Sequence, residues 1–551
     1  MARQYFVINI RGSKSQDVFC GVINKRNVVC RNHFCLHRNN VKDSGYSPLQ
    51  NIQKLKINLM RIISEFETQF KLGQSSLSEI KLDYTSRDDI TKLLLGLQSI
   101  SINKEAQTKI FQILEKTITV KSIGRSGMSL WRILVLGLLR QVISADYDRV
   151  CNLANNHAEL RKFLGHGMID CNDRYSLQSI KDNISLLSDD ALNKINTVMV
   201  HLGHWMLDSR LTKQLNIKTD SFVVKSNVHY PTDTSLLFDA MKFLINLIGS
   251  LANKHEVPGW REYKHCIRKI KTLKRKASSL RRSTSKKEEV TIKREQLIEQ
   301  THTELLTLCQ SVLSKLDSTI ALLKKLDLIK DKQVTLFNEF KAHANRQIDQ
   351  INRRIILKEI IPHSEKVFSL FNPFTEWIAK GKSGVPVELG LKVSISTDQH
   401  SFIVAHRIME QEQDVDAAIP IITKVKESFP NIYSASFDRG YYSPSNQEEL
   451  NTLVSKLILP KKGKVSKKDR DKIQGDHEYR KLRKKHSAVE SNINALEHHA
   501  LDRCPDRGIE SFKKYVSMSV LAHNIHQIGA LVQRKIQKQN NHKDPDAKIA
   551  A

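Results

Sequence analysis

The sequence predicts a protein of the α+β or α/β class, in which a helical region precedes a mixed sheet that carries a long helical insertion. The first observation is a change of period: apolar residues recur at helical spacing from 49 to 214, and strand-like runs begin at 217. The second is a proline-free stretch from Gly259 to Ile361, dominated by Lys, Arg, Glu, Gln, Leu and Ile. The third is the return of strand patterns from 385 to 460.

The composition indicates a nucleic-acid-binding protein. The chain has 551 residues, which is too long for one compact core and predicts roughly three domains. Lys and Arg number 88 against 58 Asp and Glu, a formal net charge of +30, and this excess indicates a polyanionic partner. Because no run of roughly 18 apolar residues and no convincing signal peptide is found, we expect DNA rather than a membrane as partner, in the cytoplasm. The eight scattered cysteines are typical of reduced thiols.

Both ends of the chain are predicted to be extensions without fixed structure. Residues 1–48 are basic and rich in Asn, and the tail 536–551 is polar. The N-terminal extension contains a group of potential metal ligands, Cys20, Cys30, His33, Cys35 and His37. Their spacings match no ordinary zinc finger, ribbon or knuckle, so an extension without zinc is favoured.

The helical region, residues 49–214, is assigned to DNA binding. The apolar run 129–139 predicts a buried helix, and shorter helical segments follow at 147–155 and 157–165. Short helices joined by turns with Gly or Asn form helix-turn-helix units, but generic helix pairs are at least as common. A DNA-reading unit and a plain helical scaffold therefore both remain open.

The insertion, residues 236–380, is predicted as two long helices in an antiparallel hairpin. Apolar residues from Leu297 to Leu323 form a heptad-like stripe. Residues 261–282 carry ten Lys or Arg against the single acid Glu262, and this one-sided charge favours contact with phosphates over a merely solvated face. The candidate DNA-binding residues of this section are Arg268, Lys269, Lys274 and Arg275.

The sheet region contains acidic residues at informative places. Asp220 interrupts the first strand, Asp438 ends the fourth strand, and Glu490 lies on a following helix. A half-buried strand seldom carries a carboxylate without a reason, because an unpaired buried charge is costly. The order of strands and acids is that of a ribonuclease H-like sheet. Carboxylate oxygens favour hard cations, so we expect these residues to hold two Mg²⁺ (or Mn²⁺) ions for phosphoryl transfer.

Several runs resemble the DDE class of prokaryotic insertion-sequence transposases, most of all the ISNCY-type elements. They are residues 218–233, 396–400 with 411–416, Ser436-Phe-Asp438-Arg-Gly-Tyr-Tyr442 and 487–504, with 124–137 and 146–157 upstream. Together they cover about 115–535. The resemblance implies a ribonuclease H-like catalytic domain over 215–535 and makes Asp220, Asp438 and Glu490 the catalytic, metal-binding triad. It also implies that the protein binds terminal inverted repeats, cleaves DNA and joins the ends to a target.

Alternatives exist for two of the three acids. Asp233 competes with Asp220 for the first position, but it follows Pro231 rather than lying within the strand-like run. Glu497 competes with Glu490, because it lies seven residues on and therefore on the same helical face. Where related transposases carry an Arg before the catalytic Glu, this chain has His486.

The expected DNA contacts surround these acids. Besides the insertion, they comprise Arg439, Tyr441, Lys461, Lys462, Lys484 and Lys485. We expect the transposase to act as a dimer on double-stranded DNA. Two other functions remain open: a nuclease of the same fold that cuts without joining, and a host-retained DNA-binding protein that has lost catalysis.

Overall fold

The structure is a computed structural model. It describes the backbone of residues 5–12, 15–24 and 27–29, and then residues 63–64, 74–118, 127–167, 173–207, 209–282, 287–379, 386–463 and 475–543. The chain divides into two compact units, Met1–Asn58 and Leu59–Ala551.

The first unit contains a small antiparallel sheet where the sequence predicted no fixed structure. Its strands are β1 (Tyr5–Gly12), β2 (Ser15–Asn24) and β3 (Asn27–Val29), in the order β1-β2-β3. β1 and β2 pair from Tyr5 with Val22 to Gly12 with Ser15. Cys20 lies in β2, whereas the other four residues of the Cys/His group lie outside the described residues.

The second unit begins with helices, as predicted for 49–214. They are α1 (Asp89–Ile102), α2 (Lys104–Thr117), α3 (Leu130–Val142), α4 (Tyr147–Asn156), α5 (Ala158–Phe163), α6 (Leu177–Ile184), α7 (Asp189–Trp205) and α8 (Ser209–Thr212). Most begin after a capping side chain that accepts a bond from a free N–H of the first turn, such as Asp88, Asn103, Ser129, Asp146, Ser176 and Ser188. The run predicted as a buried helix is α3, whose residues are almost all buried.

The sheet of the second unit is mixed and has seven strands. They are β4 (Leu215–Ser226), β5 (Glu376–Ala379), β6 (Val387–Thr397), β7 (Ile403–Met409), β8 (Ile432–Phe437), β9 (Lys456–Ile458) and β10 (Arg503–Cys504). β4 is central: it pairs antiparallel with β6 on one side and parallel with β8 on the other. β5 and β7 pair with β6, β9 pairs with β8, and β10 continues along the β8 side of β4. The α+β class is therefore confirmed, and the short strands β5 and β10 escaped sequence analysis.

Helices cover both faces of this sheet. They are α13 (Asp414–Ser428), α14 (Pro444–Leu453), α15 (His477–His486), α16 (Ala488–Leu496) and α17 (Ile509–Lys543). Leu215 and Ile217 of β4 belong to the apolar core shared with α13, whereas Phe222 and Val224 belong to the core shared with α16. α17 reaches back to α1, and an added Cβ at Gly529 would lie 1.8 Å from the backbone oxygen of Lys92. This close helix contact makes the C-terminal helix part of the helical region, and it includes residues 536–543 that were predicted as disordered.

Four helices, rather than the two predicted, occupy the insertion. They are α9 (Asp233–Lys254), α10 (Tyr263–Leu280), α11 (Glu288–Lys325) and α12 (Asp331–Ile351), and they form a separate apolar core. The break between α11 and α12 contains no proline, and Asp327 there adopts the left-handed φ of +53°. Among the described helices, α9 alone has the length and hydropathy of a membrane span, but its apolar residues pack against α10, α11 and α12. That is the position of a core helix.

Candidate metal-binding carboxylate site

Asp220 lies in the middle of the central strand and faces the side of the sheet that α16 covers. Side chains alternate along a strand, and Asp220 has the same parity as Phe222 and Val224, whose side chains pack with Val489 of α16. Its Oδ1 atom accepts a hydrogen bond of 2.7 Å from the backbone N–H of Ser221. The strand therefore holds this carboxylate half-buried beneath the start of α16.

Asp438 follows the last residue of β8 and comes next to Asp220. The parallel register pairs Thr219 with Phe437, so the residues after that pair are Asp220 and Asp438 themselves. Phe437 packs into the α13-side core, which gives Asp438 the opposite direction. Beyond Asp438 the chain turns through a 3₁₀ helix, Arg439–Tyr441, and the carboxylate is exposed. The sheet thus brings two of the predicted acids to neighbouring strands and to one face.

Glu490 is exposed in the first turn of α16, above the same face. Val489 and Leu496 of this helix are fully buried against β4 and β6, and they fix which way the helix presents Glu490. Neither Asp220, Asp438 nor Glu490 has an ion-pair partner among the residues that the structure describes. The predicted acids are therefore neighbours that form no ion pair within the described part of the chain.

The charge of Asp220 is strongly disfavoured. Burial is the main cause that raises the pKa of Asp220 to about 6, and the negative charges of Asp438, Asp414 and Glu490 raise it further, against the bond from Ser221. A carboxyl group with such a pKa is partly protonated near neutral pH. A bound cation would relieve both the repulsion and the loss of solvation.

Asp414 is a fourth acid that sequence analysis did not assign to the site. It opens α13, accepts a 2.7 Å bond from the hydroxyl of Ser221, and lies 3.3 Å from the ammonium of Lys392. A Cβ added at Gly440 would come within 3.2 Å of its Oδ2 atom, so the turn after Asp438 lies against it. Its position within residues 411–416, one of the runs that carried the resemblance, was the available signal.

His486 ends α15 and lies beside the acids. Its Nδ1 atom is 3.1 Å from the hydroxyl of Ser436, the residue two before Asp438 on the same face of β8. Burial lowers the pKa of His486, and the nearby negative charges of Asp438 and Glu490 oppose that effect. The imidazole thus lies beside the acids, and its burial favours the uncharged form.

A cavity of about 320 Å³ opens between the sheet and the α15–α16 corner. Hydroxyl groups line it from both sides, Ser434 and Ser436 from β8 and Ser487 and Ser491 from the helices, and Lys218 and Lys485 supply positive charge. Hydroxyl and ammonium groups are donors suited to an anionic oxygen. The cavity therefore has a polar wall, although Ser434, Ser436 and Lys218 already donate to Asn216, Ile217 and Asp398.

Five of the six predicted DNA contacts around the acids are exposed, and one is not. Arg439, Lys461, Lys462, Lys484 and Lys485 are all on the surface. Tyr441, in contrast, is only 1% exposed, and its hydroxyl lies 2.9 Å from that of Ser394. The prediction that Tyr441 contacts DNA is wrong, because the turn after Asp438 directs this ring into the core.

The basic section of the insertion is the helix α10. Arg268, Lys269 and Arg275 are exposed on it. Lys274 is half-buried, with its ammonium 5.0 Å from the centre of the Phe238 ring, and burial lowers its pKa while Asp239 raises it. Lys274 therefore packs within the insertion, and its role as a DNA contact stays a prediction.

The two alternative acids have different outcomes. Asp233 begins α9 and forms a 2.6 Å ion pair with Arg354, so it belongs to the insertion. Glu497 is half-buried at the start of a π-helical turn, Glu497–Leu501, beyond α16. Of these two, only Glu497 shares a helical segment with Glu490.

A second cluster of potential ligands lies at the end of that π-helical turn. Among the described residues, one group of three ligand atoms falls within 4.8 Å of one another, and it belongs to Asp89, His499 and His526. The carboxylates of Asp220, Asp438 and Glu490 are more widely spread.

Searches of this chain against protein-family models, curated proteins and solved structures gave no match.

Proposed function

We propose that this chain is a DNA transposase of the DDE class, with its catalytic centre at Asp220, Asp438 and Glu490. The observation that carries the proposal is the convergence of these residues, far apart in sequence, on one face of the sheet, where no described residue forms an ion pair with them. Burying Asp220 beside the negative charges of Asp438 and Glu490 is costly, which favours a functional role for this carboxylate over a structural one.

The strand arrangement supports a ribonuclease H-like catalytic domain. The strands run β7-β6-β4-β8-β9, with β6 antiparallel to its neighbours and β4, β8 and β9 parallel to one another. Asp220 occupies the central strand and Asp438 directly follows the adjacent one, as the resemblance to transposases implies. The helices α9 to α12 would then be an insertion after the first strand of that domain.

The donor set fits hard divalent cations. All the candidate ligands are carboxylate oxygens, which Mg²⁺ and Mn²⁺ prefer, and the pKa of Asp220 near 6 reflects burial and repulsion that a cation offsets. Asp220, Asp438 and Glu490 would hold the ions, with Asp414 beside them. When bound, two such ions activate the attacking oxygen and stabilise the leaving oxygen of an in-line phosphoryl transfer.

The chain's own residues would orient the DNA around that centre. Arg439 follows Asp438 directly, and Lys485 lines the cavity beside β8, so both can contact backbone phosphates on either side of the acids. His486, held against Ser436, can donate to a phosphate oxygen at the same wall. The exposed cations of α10 would add contacts that depend on salt rather than on sequence.

The test is a strand-transfer assay with the full-length chain, Mg²⁺ and a labelled duplex that carries the inverted repeat flanking its own gene. Cleavage at the repeat end and covalent joining to a target plasmid are expected. Asp438→Asn should abolish both and leave the gel shift of the repeat unchanged. Full activity of Asp438→Asn would overturn the assignment of the site.

The assay also separates the two alternative functions. Cleavage without joined product would indicate a nuclease of the same fold. Specific binding without cleavage at any divalent cation would indicate a DNA-binding protein that has lost catalysis. The presence of all three acids on one face argues against the second alternative.

A further inference from the structure

We propose that Asp89, His499 and His526 form a Zn²⁺ site that fastens the end of the α16 segment to the helices α1 and α17. These residues come from three separate elements, and no step of the proposed DNA chemistry uses them. The inference is therefore independent of the proposed function.

Asp89 and His526 already face each other across the α1–α17 contact. Asp89 is the first residue of α1, and its Oδ1 atom lies 3.1 Å from Nε2 of His526 on α17. Two ligands of a tetrahedral zinc ion, with bonds of about 2.0 to 2.1 Å, lie about 3.3 Å apart. The pair thus has nearly the separation that a shared ion requires, with the ion in place of the proton between them.

An unusual backbone brings His499 into the same place. The π-helical turn after α16 leaves helical geometry at His499, with φ −87° and ψ 47°, and Ala500 then adopts the left-handed φ of 79°. Such a conformation is unfavourable for a residue with a Cβ, and π-helical turns often occur at functional sites. As a result His499 is buried, with its ring centre 4.7 Å from that of His526.

The buried histidines have nitrogen atoms that lack hydrogen-bond partners. Nδ1 of His499 and Nδ1 of His526 are both buried, and neither is bonded to any residue that the structure describes. Leaving such nitrogen atoms unpaired is costly, and native proteins rarely do so without a reason. A cation bound by one ring nitrogen of His499, beside the carboxylate of Asp89, would supply a partner for this buried group.

The donor set selects zinc over the cations expected at the carboxylate site. Two imidazoles and one carboxylate suit Zn²⁺, whereas Mg²⁺ prefers oxygen ligands alone. His498 is exposed, and its Nε2 atom lies 3.7 Å from Oδ2 of Asp89, which makes it available as a fourth ligand. The ammonium of Lys92, 3.3 Å from Oδ1 of Asp89, is the competing cation that zinc would displace.

The position of the cluster indicates a structural role. His499 follows directly on α16, the helix that carries Glu490, whereas Asp89 and His526 belong to the tightly packed pair α1 and α17. A bound ion would hold the far end of α16 against this rigid pair. Glu490 would then gain a fixed position relative to the helical region.

The experiment measures metal content by mass spectrometry in the full-length chain, purified from zinc-supplemented cells without chelator and then dialysed. We expect about one zinc ion per chain, and at least about tenfold less in His499→Ala and in His526→Ala, because each change removes a ligand. His523→Gln is the control: this residue is also buried on α17, but its Nε2 faces the backbone oxygen of Ser401, so the zinc content of the variant should equal that of the wild type.

Two further measurements keep the inference testable if a variant misfolds. Zinc added to the chelator-treated wild type should raise its melting temperature, and magnesium at the same concentration should not reproduce that rise. Asp438→Asn should keep its zinc, which excludes binding at the carboxylate site. Zinc-free wild type that gains no thermal stability from added zinc, or full zinc content in His526→Ala, would overturn the inference.

Discussion

The two clusters of potential metal ligands in this chain differ in almost every physical respect. The carboxylate site consists of oxygen donors only, is spread across two strands and a helix, and exposes Asp438 and Glu490 to solvent. The histidine cluster combines one carboxylate with two imidazoles, lies within 4.8 Å, and buries both histidines. One is surrounded by exposed Arg and Lys, and the other by packed helices.

Exposure to solvent is the property that distinguishes a catalytic metal site from a structural one. A site that must admit a phosphodiester needs room for ions, water and DNA, so its ligands remain apart and keep their contact with solvent. A site that only holds helices together gains most from compact, buried ligands. Variants of the two clusters test this division, and their expected effects decrease in the order given.

The strongest effect is expected for loss of a carboxylate. Asp438→Asn and Glu490→Gln should each lower DNA cleavage with Mg²⁺ by about a thousandfold or more, because several kcal/mol of transition-state stabilisation depend on the ions they hold. The rate is measured on a labelled repeat end at saturating enzyme. Glu497→Gln is the matched control on the same helical segment and should retain activity. Loss of activity in Glu497→Gln with full activity in Glu490→Gln would identify Glu497 as the third ligand.

The second effect concerns stability and pH. The pKa of Asp220 is raised from 3.8 to about 6, so ionising this group disfavours the folded state by about 3 kcal/mol at 1.36 kcal/mol for each pKa unit. Its contribution to stability is fully present below pH 4 and is lost as the pH rises to about 6. Asp220→Asn should therefore stabilise the metal-free protein at pH 7.5 but not at pH 4, as measured by urea unfolding.

Added Mg²⁺ should reverse the order of stability of the wild type and Asp220→Asn at pH 7.5. The ions favour the ionised carboxylate, so the wild type should gain stability from Mg²⁺ at pH 7.5, whereas Asp220→Asn should gain much less. Equal stability of the two metal-free proteins at pH 7.5 would contradict the proposed repulsion. Unfolding of His526→Ala measured alongside should show the same gain from Mg²⁺ as the wild type, because its carboxylate site is intact.

The third effect concerns DNA binding by the positive charges near the two clusters. Replacing Arg439, Lys484 and Lys485 together by Ala should reduce the slope of log K against log salt by about 2.7, since each phosphate that is no longer neutralised accounts for about 0.9. Lys92→Ala, beside the histidine cluster, is the control and should leave the slope unchanged. Binding isotherms of one repeat duplex at several salt concentrations measure both.

The weakest effect is expected at Tyr441. Its buried hydroxyl bonds to that of Ser394, so Tyr441→Phe should cost about 1 kcal/mol of unfolding free energy and leave DNA affinity unchanged. Urea unfolding and a gel shift of the same samples measure the two quantities. A marked loss of DNA affinity at unchanged stability would show that Tyr441 contacts DNA after all.

Local patterns were sufficient for much of the fold. The strand around Asp220, the helix α13, the strand before Asp438 and the buried helix α3 all agree with their patterns within a few residues. Short elements such as β5 and β10 were missed, because two to four residues carry too little periodicity. The four-helix insertion was predicted as two helices, since a left-handed Asp leaves no proline signal.

Which residues lie next to one another in space, in contrast, depends on how the strands pair across the sheet. Asp220 and Asp438 are separated by the whole insertion in sequence, and only the register of β4 with β8 makes them adjacent. The inward turn of Tyr441, the ion pair of Asp233 with Arg354, and the packing of Lys274 on Phe238 are contacts between distant segments, which residue patterns do not encode.

The amino-acid sequence was enough for the α+β class and the positive charge, because these follow from local period and from composition. The choice of Asp220, Asp438 and Glu490 as catalytic acids depended on the resemblance to transposases and stays a prediction. Only the folded chain shows that Asp414 lies beside those acids. The meeting of Asp89, His499 and His526 is likewise a product of folding. A ligand cluster depends on distances between side chains of separate elements, and those distances are set by packing rather than by spacing along the chain.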